Sequence, residues 1–226
     1  MEKYNLNINY TDNNGHNYLM YACRYIHNID LIRYLVEHHK MDVNHVNNHG
    51  NNCLIYSCRY SNIDIIRYLI ENYRMNINHM NNYRDNCLIT TCQYNSDIDI
   101  IKYLIEDCKM DTNHINCHKD NCLLLECENN SNVNIIKYLL EDCKMDINYQ
   151  NVNKDNYLMT ACYHNPNVDV IKYLIEYNKI DMYCVKNRNE CLLAACNSNS
   201  NINILKYLIQ DCKMDIYYID NSEIVV

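Results

Sequence analysis

Cysteine and histidine are the residue types in this sequence best suited to chemistry, because both bind metals and both serve in nucleophilic catalysis. The chain of 226 residues has 15 cysteines and 10 histidines. Several cysteine pairs, such as Cys53 and Cys58, are five residues apart, which corresponds to about 140° around a helix and separates the two thiols. Equivalent cysteines on neighbouring helices would lie about 8–10 Å apart, beyond the reach of a disulfide. We therefore expect reduced cysteines that pack as small apolar residues.

Three histidines recur at one sequence position and suggest a metal-binding ladder, namely His45, His79 and His114. Their spacing places them in successive structural units about 10 Å apart, whereas two ligands of one zinc ion span roughly 4 Å. No nucleophile–base arrangement or phosphate-binding glycine loop is recognisable either. The sequence thus predicts a chain without metal, cofactor or enzymatic activity. The alternative is a metal-binding or enzymatic protein that uses its cysteines and histidines, and it predicts stoichiometric zinc.

Glu126 is a candidate site residue because it stands where the related segments carry a small side chain. The residues at that position are Ala22, Ser57, Thr91, Ala161 and Ala195. A buried carboxyl group has a raised pKa and can mark a functional site. Glutamate is seldom fully buried without a partner, so we expect Glu126 to point towards water.

The charge and hydropathy of the chain argue against two classes of partner. The formal net charge is −8 and the lysines and arginines are dispersed, whereas nucleic-acid-binding proteins concentrate basic residues on one face. No run of about 18 apolar residues is present to span a membrane, and the start "MEKYNLNINY" has no apolar signal segment. We expect a soluble, cytoplasmic protein without nucleic-acid, membrane or small-molecule partners.

The elements that must position these residues are internal repeats. The pair Tyr-Leu recurs every 34 or 35 residues, at Tyr34, Tyr68, Tyr103, Tyr138, Tyr173 and Tyr207. Each unit reads as two short helices, which cannot be stable alone and must stack on their neighbours. Asparagine precedes the first helix as the expected N-cap at Asn17, Asn52, Asn86, Asn121 and Asn156. The expected caps of the second helix are Asn28, Asn62, Asp97, Asn132, Asn167 and Asn201. Basic residues follow the second helix at Lys40, Arg74, Lys109, Lys144, Lys179 and Lys213.

This periodicity predicts one domain over residues 1–226. Its six repeats are predicted at about 7–41, 42–75, 76–110, 111–145, 146–180 and 181–214, with a partial hairpin at 215–226. Two leucine ladders should form the core. The first helices supply Leu19, Leu54, Leu88, Leu123, Leu158 and Leu192. The second helices supply Leu35, Leu69, Leu104, Leu139, Leu174 and Leu208. The tyrosines of the Tyr-Leu pairs should form a partly buried structural stripe.

The repeat resembles the ankyrin repeat. The segment "DVNHVNNHGNNCLIYSC" at 42–58 is similar to the family's hairpin and first helix, and "NIDIIRYLIE" at 62–71 is similar to its second helix. The resemblance implies an all-α fold, an ankyrin-repeat solenoid of helix-turn-helix units with β-hairpin-like loops. The composition resembles the ankyrin families expanded in large DNA viruses and amoebae. It implies a non-catalytic scaffold for protein–protein interaction, and for a viral chain a host protein as partner in the host cytoplasm.

One departure from the family concerns the end of the second helix. The glycine that usually ends this helix is replaced by a longer segment such as "EDCKMD". A residue other than glycine in a left-handed cap costs ~1 kcal/mol. We therefore expect the additional residue to relieve that strain.

Candidate binding residues follow the last cysteine of each first helix, because the resemblance places that position on the concave binding groove. The pairs are Arg24-Tyr25, Arg59-Tyr60, Gln93-Tyr94, Glu128-Asn129, Tyr163-His164 and Asn197-Ser198. Tyrosine and arginine dominate binding hot spots, so the predicted site comprises Arg24, Tyr25, Arg59, Tyr60, Gln93 and Tyr94. The hairpin tips at His49, Tyr83 and His118 are a second candidate surface. The alternative is a solvated face with chance tyrosines, in a chain that has 23 of them.

Overall fold

The computed structural model describes residues 7–129, 131–178 and 185–214. Within these ranges the regular elements are all helical, and the loops between repeats contain turns but no strands. The predicted all-α class is therefore confirmed. The chain divides into two compact units, Met1–Cys122 and Leu123–Val226. The predicted hairpin at 215–226 and the helix-terminal Lys179 lie outside the described residues.

The first unit contains three helical pairs. In the first pair, α1 (Tyr18–Tyr21) continues as a π-helical turn, Ala22–Ile26, and α2 (Ile29–Arg33) continues as another, Tyr34–His38. The second pair is α3 (Cys53–Tyr60) and α4 (Ile63–Tyr73). The third is α5 (Cys87–Tyr94) and α6 (Ile98–Lys102), and α6 continues as the π-helical turn Tyr103–Asp107.

The second unit repeats this arrangement. Its first pair is α7 (Cys122–Asn129), which begins at the last residue of the first unit, and α8 (Val133–Lys137) with the π-helical turn Tyr138–Asp142. The next pair is α9 (Tyr157–His164) and α10 (Val168–Asn178). The last pair is α11 (Val185–Ser198) and α12 (Ile202–Lys206), followed by the π-helical turn Tyr207–Asp211.

Asparagine caps begin the helices as the sequence predicts. The side chains of Asn17, Asn52, Asn86 and Asn156 each accept the backbone N–H three residues further on. Second helices are capped by Asn28, Asn62, Asp97, Asn132 and Asn201. Asn167 likewise accepts the N–H of Asp169. Each cap satisfies a backbone donor that has no partner within the helix, which allows helices of two or three turns to form.

Both predicted leucine ladders lie in the core. Every member, from Leu19 to Leu192 on the first helices and from Leu35 to Leu208 on the second helices, is at most 9% exposed. Because the described second helices are short, this shared burial between stacked pairs supplies most of their stability.

The ends of the second helices correct one expectation. The residues that follow these helices have left-handed backbone, with φ between 47° and 57°, at Lys40, Arg74, Lys109, Lys144 and Lys213. The additional residue therefore does not relieve the strain at this position. It leaves the left-handed cap in place, occupied by a long basic side chain at the negative end of the helix dipole.

The repeated second-helix motif is explained by contacts between neighbouring repeats. In the first unit, Tyr68 Oη donates to Glu37 Oε1 (2.8 Å) and the Arg33 guanidinium lies over the Tyr68 ring. Burial, with hydrogen bonds to Tyr73 and Glu37, raises the pKa of Tyr68. Tyr103 and Tyr173 make the same two contacts with the basic and acidic residues of the preceding repeat, so this part of the predicted tyrosine stripe is a structural contact. Tyr34, in the first repeat, is 50% exposed and lies against His38 and His39.

Five loops in the described part of the chain are each closed by one asparagine or aspartate. Asn81 Oδ1 accepts the backbone N–H groups of Tyr83 and Asp85, both at 2.9 Å. The same pair of bonds forms at Asp12, Asn47, Asn116 and Asn151. Successive tips within the first unit are joined by backbone bonds, such as Asn82 N–H to His49 O (3.0 Å). The loops are therefore rigid platforms for the side chains at their tips.

Candidate protein-binding site

Two arginines of successive first helices are stacked on tyrosine rings. The Cζ atom of Arg59 lies 3.6 Å from the centre of the Tyr94 ring and 5.0 Å from that of Tyr60. Arg24 lies 4.9 Å from the centre of Tyr25 and 5.8 Å from that of Tyr60. Tyrosine and arginine therefore alternate across three repeats. We call these five residues the arginine–tyrosine face.

The guanidinium groups of this face have hydrogen-bonding capacity to spare. Within the described residues, neither Arg24 nor Arg59 donates a hydrogen bond or forms an ion pair, and Arg59 Nε is buried without an acceptor. Stacking on an aromatic ring fixes the plane of a guanidinium but leaves its edge available. The arginines are thus held in place by tyrosines, with donors still available for a partner.

A cavity of about 340 Å³ joins this face to the hairpin tips of the first unit. Its helical wall includes Arg24, Tyr56, Arg59, Tyr60 and Tyr94. Its hairpin wall includes His49, Tyr83 and Asp85. Such a volume is at the lower end of the range for ligand pockets, and it suits one inserted side chain with its flanking atoms. We call it the groove cavity.

Asp85 is an acidic residue in the wall of the groove cavity. It is 9% exposed, and its Oδ2 accepts a hydrogen bond from Asn81 Nδ2 (3.1 Å) while Oδ1 has no partner. Burial raises the pKa of Asp85, although the Asn81 hydrogen bond opposes this effect. A buried carboxyl oxygen without a hydrogen-bond partner is uncommon and costs folding free energy.

A network of polar side chains supports the other end of the cavity. Tyr56 Oη lies 2.7 Å from His16 Nε2, and His16 Nδ1 lies 3.0 Å from Asp12 Oδ2. Asn47 Nδ2 also donates to Tyr56 Oη (3.0 Å). The sequence of contacts from Tyr56 through His16 to Asp12 resembles a catalytic nucleophile, base and carboxylate. Burial, however, raises the pKa of Tyr56 and so opposes its ionisation. The network therefore fixes Tyr56 as a wall of the cavity.

The structure brings together most of the predicted binding residues. Arg24, Arg59, Tyr60 and Tyr94 line the same cavity as the hairpin-tip residues His49 and Tyr83, which the sequence analysis treated as a separate surface. Tyr25 belongs to the stack but lies outside the cavity lining, as do Gln93 and His118. Sequence reasoning missed Tyr56, His16 and Asp85. A signal was available for Tyr56, because most equivalent positions carry a small or aliphatic residue.

The histidine ladder has a structural role. His45 Nε2 lies 2.7 Å from the carbonyl oxygen of Gly15, His79 Nε2 lies 2.7 Å from that of Gly50, and His114 Nε2 lies 2.8 Å from that of Arg84. Each histidine donates to the turn of the preceding repeat. Among the described residues, no group of three histidine, cysteine, aspartate or glutamate side chains is placed to hold a metal ion.

The cysteines make contacts that their spacing did not predict. In three places the first cysteine of one first helix interacts with the last cysteine of the preceding first helix. A hydrogen bond to Cys23, together with burial, raises the pKa of the Cys53 thiol. Cys58 acts in the same way on the pKa of Cys87, and Cys191 on that of Cys162. All described cysteines are thiols, and the raised pKa of Cys53, Cys87 and Cys162 disfavours the reactive thiolate at these three positions.

Glu126 does not point towards water. It is 0% exposed on α7, so the expectation of a solvent-facing carboxylate is wrong. Its neighbours on that helix, Leu125 and Cys127, are equally buried.

The stacked helical pairs, capped by asparagine and joined by hydrogen-bonded turns, define a helical repeat protein. The family profile described as "Ankyrin repeats (3 copies)" matches residues 2–81 and 123–220, more than half of the chain. The chain belongs to the ankyrin-repeat family. No curated protein matches it significantly. Within the described ranges, no helix combines the length and apolar character that crossing a membrane requires.

Proposed function

We propose that this chain is a non-catalytic scaffold for protein–protein interaction, and that its partner docks on the arginine–tyrosine face and groove cavity of the first unit. Ankyrin repeats generally mediate protein–protein interaction, which supports the class. The observation that carries the location is the joint lining of one cavity by Arg24, Arg59, Tyr60 and Tyr94 with His49 and Tyr83.

The chemistry of these side chains suits a protein partner. Tyr25, Tyr60 and Tyr94 are between 36% and 59% exposed, so each ring offers apolar area that a partner can bury. The rings are already ordered by their arginine neighbours, which lowers the entropy lost on binding. Tyrosine and arginine are the residue types most enriched in binding hot spots. Gln93 and His118 extend the candidate surface beyond the cavity.

The test is affinity purification from expressing cells followed by quantitative mass spectrometry. Three baits are compared: the unaltered chain, the Arg59→Ala/Tyr60→Ala variant and the matched Asn197→Ala/Ser198→Ala variant. We expect a partner that is enriched by the first and third baits and lost with the second. A partner retained equally by all three would place binding elsewhere and reject the proposed face.

We also propose a reducing, cytoplasmic location and a viral origin with a host protein as partner. The thiol pairs support a reducing compartment, and the composition rich in asparagine, isoleucine and tyrosine supports the origin. Titration of the denatured protein without reductant should report close to 15 thiols. If several pairs of thiols failed to react, disulfides would be present and the reducing location would be contradicted.

The proposal includes the extent of the repeat domain and the ligands that it does not bind. We infer a single ankyrin-repeat domain over residues 1–226, with six repeats, that binds neither metal nor cofactor and acts on no small molecule, nucleic acid or membrane. Limited proteolysis should yield one protected fragment and metal analysis should find no zinc. Stoichiometric zinc would instead support the alternative that cysteines and histidines form a metal site.

A further inference from the structure

The groove cavity contains two cationic groups that the described residues leave without a counter-ion. Two other arginines of the first unit are paired: Arg67 Nη1 lies 3.5 Å from Glu71 Oε1, and Arg33 Nη1 lies 3.9 Å from Asp30 Oδ1. Arg24 and Arg59 form no such pair within the described part of the chain. In a chain with a net charge of −8, the lining of this cavity has two arginines and one carboxyl group, that of Asp85.

The arrangement of these arginines suits an oxyanion. Both guanidinium groups lie beside the Tyr60 ring, with Cζ atoms 5.8 Å and 5.0 Å from its centre. The ring contacts hold the planes in position, so the edge N–H groups can approach an oxyanion without losing much side-chain entropy. A planar carboxylate accepts two parallel hydrogen bonds from one guanidinium, and such charge-assisted bonds are about twice as strong as neutral ones.

We propose that the groove cavity recognises an acidic segment of the protein partner, with an aspartate or glutamate carboxylate bound by Arg59 and Arg24 and its neighbours packed on Tyr60, Tyr83 and Tyr94. The inference rests on the proposed function and adds the chemical class of the partner. The half-exposed tyrosines favour a peptide over a free anion, because they offer apolar area beside the charged site.

Asp85 determines which anion the cavity favours. Its carboxyl group shares the cavity with both arginines, so a ligand with more than one negative charge meets repulsion there. The single charge of a side-chain carboxylate is neutralised by the arginines with less repulsion. Replacement of Asp85 by asparagine should therefore strengthen the binding of an acidic peptide about two- to threefold. A basic peptide that used Asp85 would be weakened by the same replacement.

The experiment selects a phage-displayed library of random 12-residue peptides on the immobilised full-length chain. We expect the selected peptides to share an aspartate or glutamate, and replacement of that residue by its amide to weaken binding at least tenfold. Arg59→Gln should weaken binding at least tenfold and Arg24→Gln at least threefold. Arg67→Gln is the matched control, because it removes the same charge from an arginine stacked on Tyr103 outside the cavity. Thermal unfolding verifies that each variant is folded.

The outcomes separate this inference from the proposed function. Peptides without an acidic residue that are nevertheless lost with Tyr60→Ala would overturn the acidic preference and leave the docking face intact. Peptides insensitive to Arg59→Gln, Arg24→Gln and Tyr60→Ala would reject both. Basic peptides weakened by Asp85→Asn, or a library that yields no peptide, would also overturn the inference.

Discussion

The two units carry the same scaffold but different side chains on the equivalent face. In the first unit, the positions after the last first-helix cysteine hold Arg24-Tyr25, Arg59-Tyr60 and Gln93-Tyr94. In the second unit they hold Glu128-Asn129, Tyr163-His164 and Asn197-Ser198. Two polar side chains there donate to backbone carbonyl oxygens: Asn129 Nδ2 to Leu125 O (3.2 Å) and Ser198 Oγ to Tyr163 O of the preceding repeat (2.9 Å). The face of the first unit thus presents guanidinium donors without an acceptor, whereas these two side chains of the second unit already donate to backbone carbonyl oxygens.

Two kinds of contact between repeats, by contrast, recur in both units. Tyr103 donates to Glu71 in the first unit (3.1 Å), and Tyr173 donates to Glu141 in the second (2.6 Å). The loop asparagines repeat the pattern, because Asn199 Nδ2 donates to Cys162 O in the second unit (3.0 Å) as Asn95 Nδ2 does to Cys58 O in the first (3.2 Å). The difference described here therefore lies in the side chains of the proposed binding face, while these two contacts between repeats are shared.

The largest expected effect tests whether the scaffold is equivalent in the two units. Leu104→Ala in the first and Leu174→Ala in the second should each lower the free energy of unfolding by about 2–5 kcal/mol, because both side chains are at most 1% exposed. Urea unfolding followed by circular dichroism gives these values. A loss below about 0.5 kcal/mol at either site, typical of surface positions, would show that the two cores are not equivalent.

The next effect tests the difference in recognition. Once a partner is in hand, Arg59→Ala/Tyr60→Ala should weaken its binding by about 2 kcal/mol or more, as measured by calorimetry. The thermal midpoint should change little, since Tyr60 is 36% exposed. Asn197→Ala/Ser198→Ala should cost less, because short side chains bury little area. Equal losses for the two double variants, or unfolding of Tyr60→Ala, would remove the distinction between the units.

Much of the scaffold could be predicted because its determinants are local in sequence. The caps at Asn52 and Asn86 and the buried leucines follow from side-chain chemistry and helical period. The site could be predicted only in part. Arg59 and Tyr60 could be predicted from their residue types. That Tyr83 and Asp85 line the same cavity could not, because it depends on how the loops pack against the helices in three dimensions.

The expectations that were incomplete or wrong concern contacts between non-equivalent positions and local strain. Cysteines at the same position of successive repeats are too far apart to interact. Cys53 instead interacts with Cys23, which occupies a different position of the preceding repeat. Glu126 is buried although carboxylates usually are not. Lys109 shows that a left-handed cap persists without glycine, because the cost of one such residue is small compared with the burial that follows it.

A smaller effect tests whether the caps contribute equally in the two units. Asn86 accepts the N–H of Ile89 (3.0 Å) and Asn156 accepts that of Met159 (2.9 Å). Replacement of either residue by alanine should cost about 1 kcal/mol of unfolding free energy, and replacement by aspartate should restore most of it. If Asn86→Asp failed to restore stability, its side chain would have a role beyond the cap.

The smallest effect concerns the left-handed caps, where both units retain the same strain. Lys109 and Lys144 have φ of 57° and 56°, a region that glycine adopts without the clash of a Cβ atom. Lys109→Gly and Lys144→Gly should each be about 1 kcal/mol more stable than the matched alanine variants, which lose the same charge near the helix end but keep the Cβ atom. The glycine–alanine difference in urea unfolding therefore isolates backbone strain from the helix dipole. A gain in one unit only would show that the other relaxes its cap by moving the following loop, and the scaffold would then differ between the units after all.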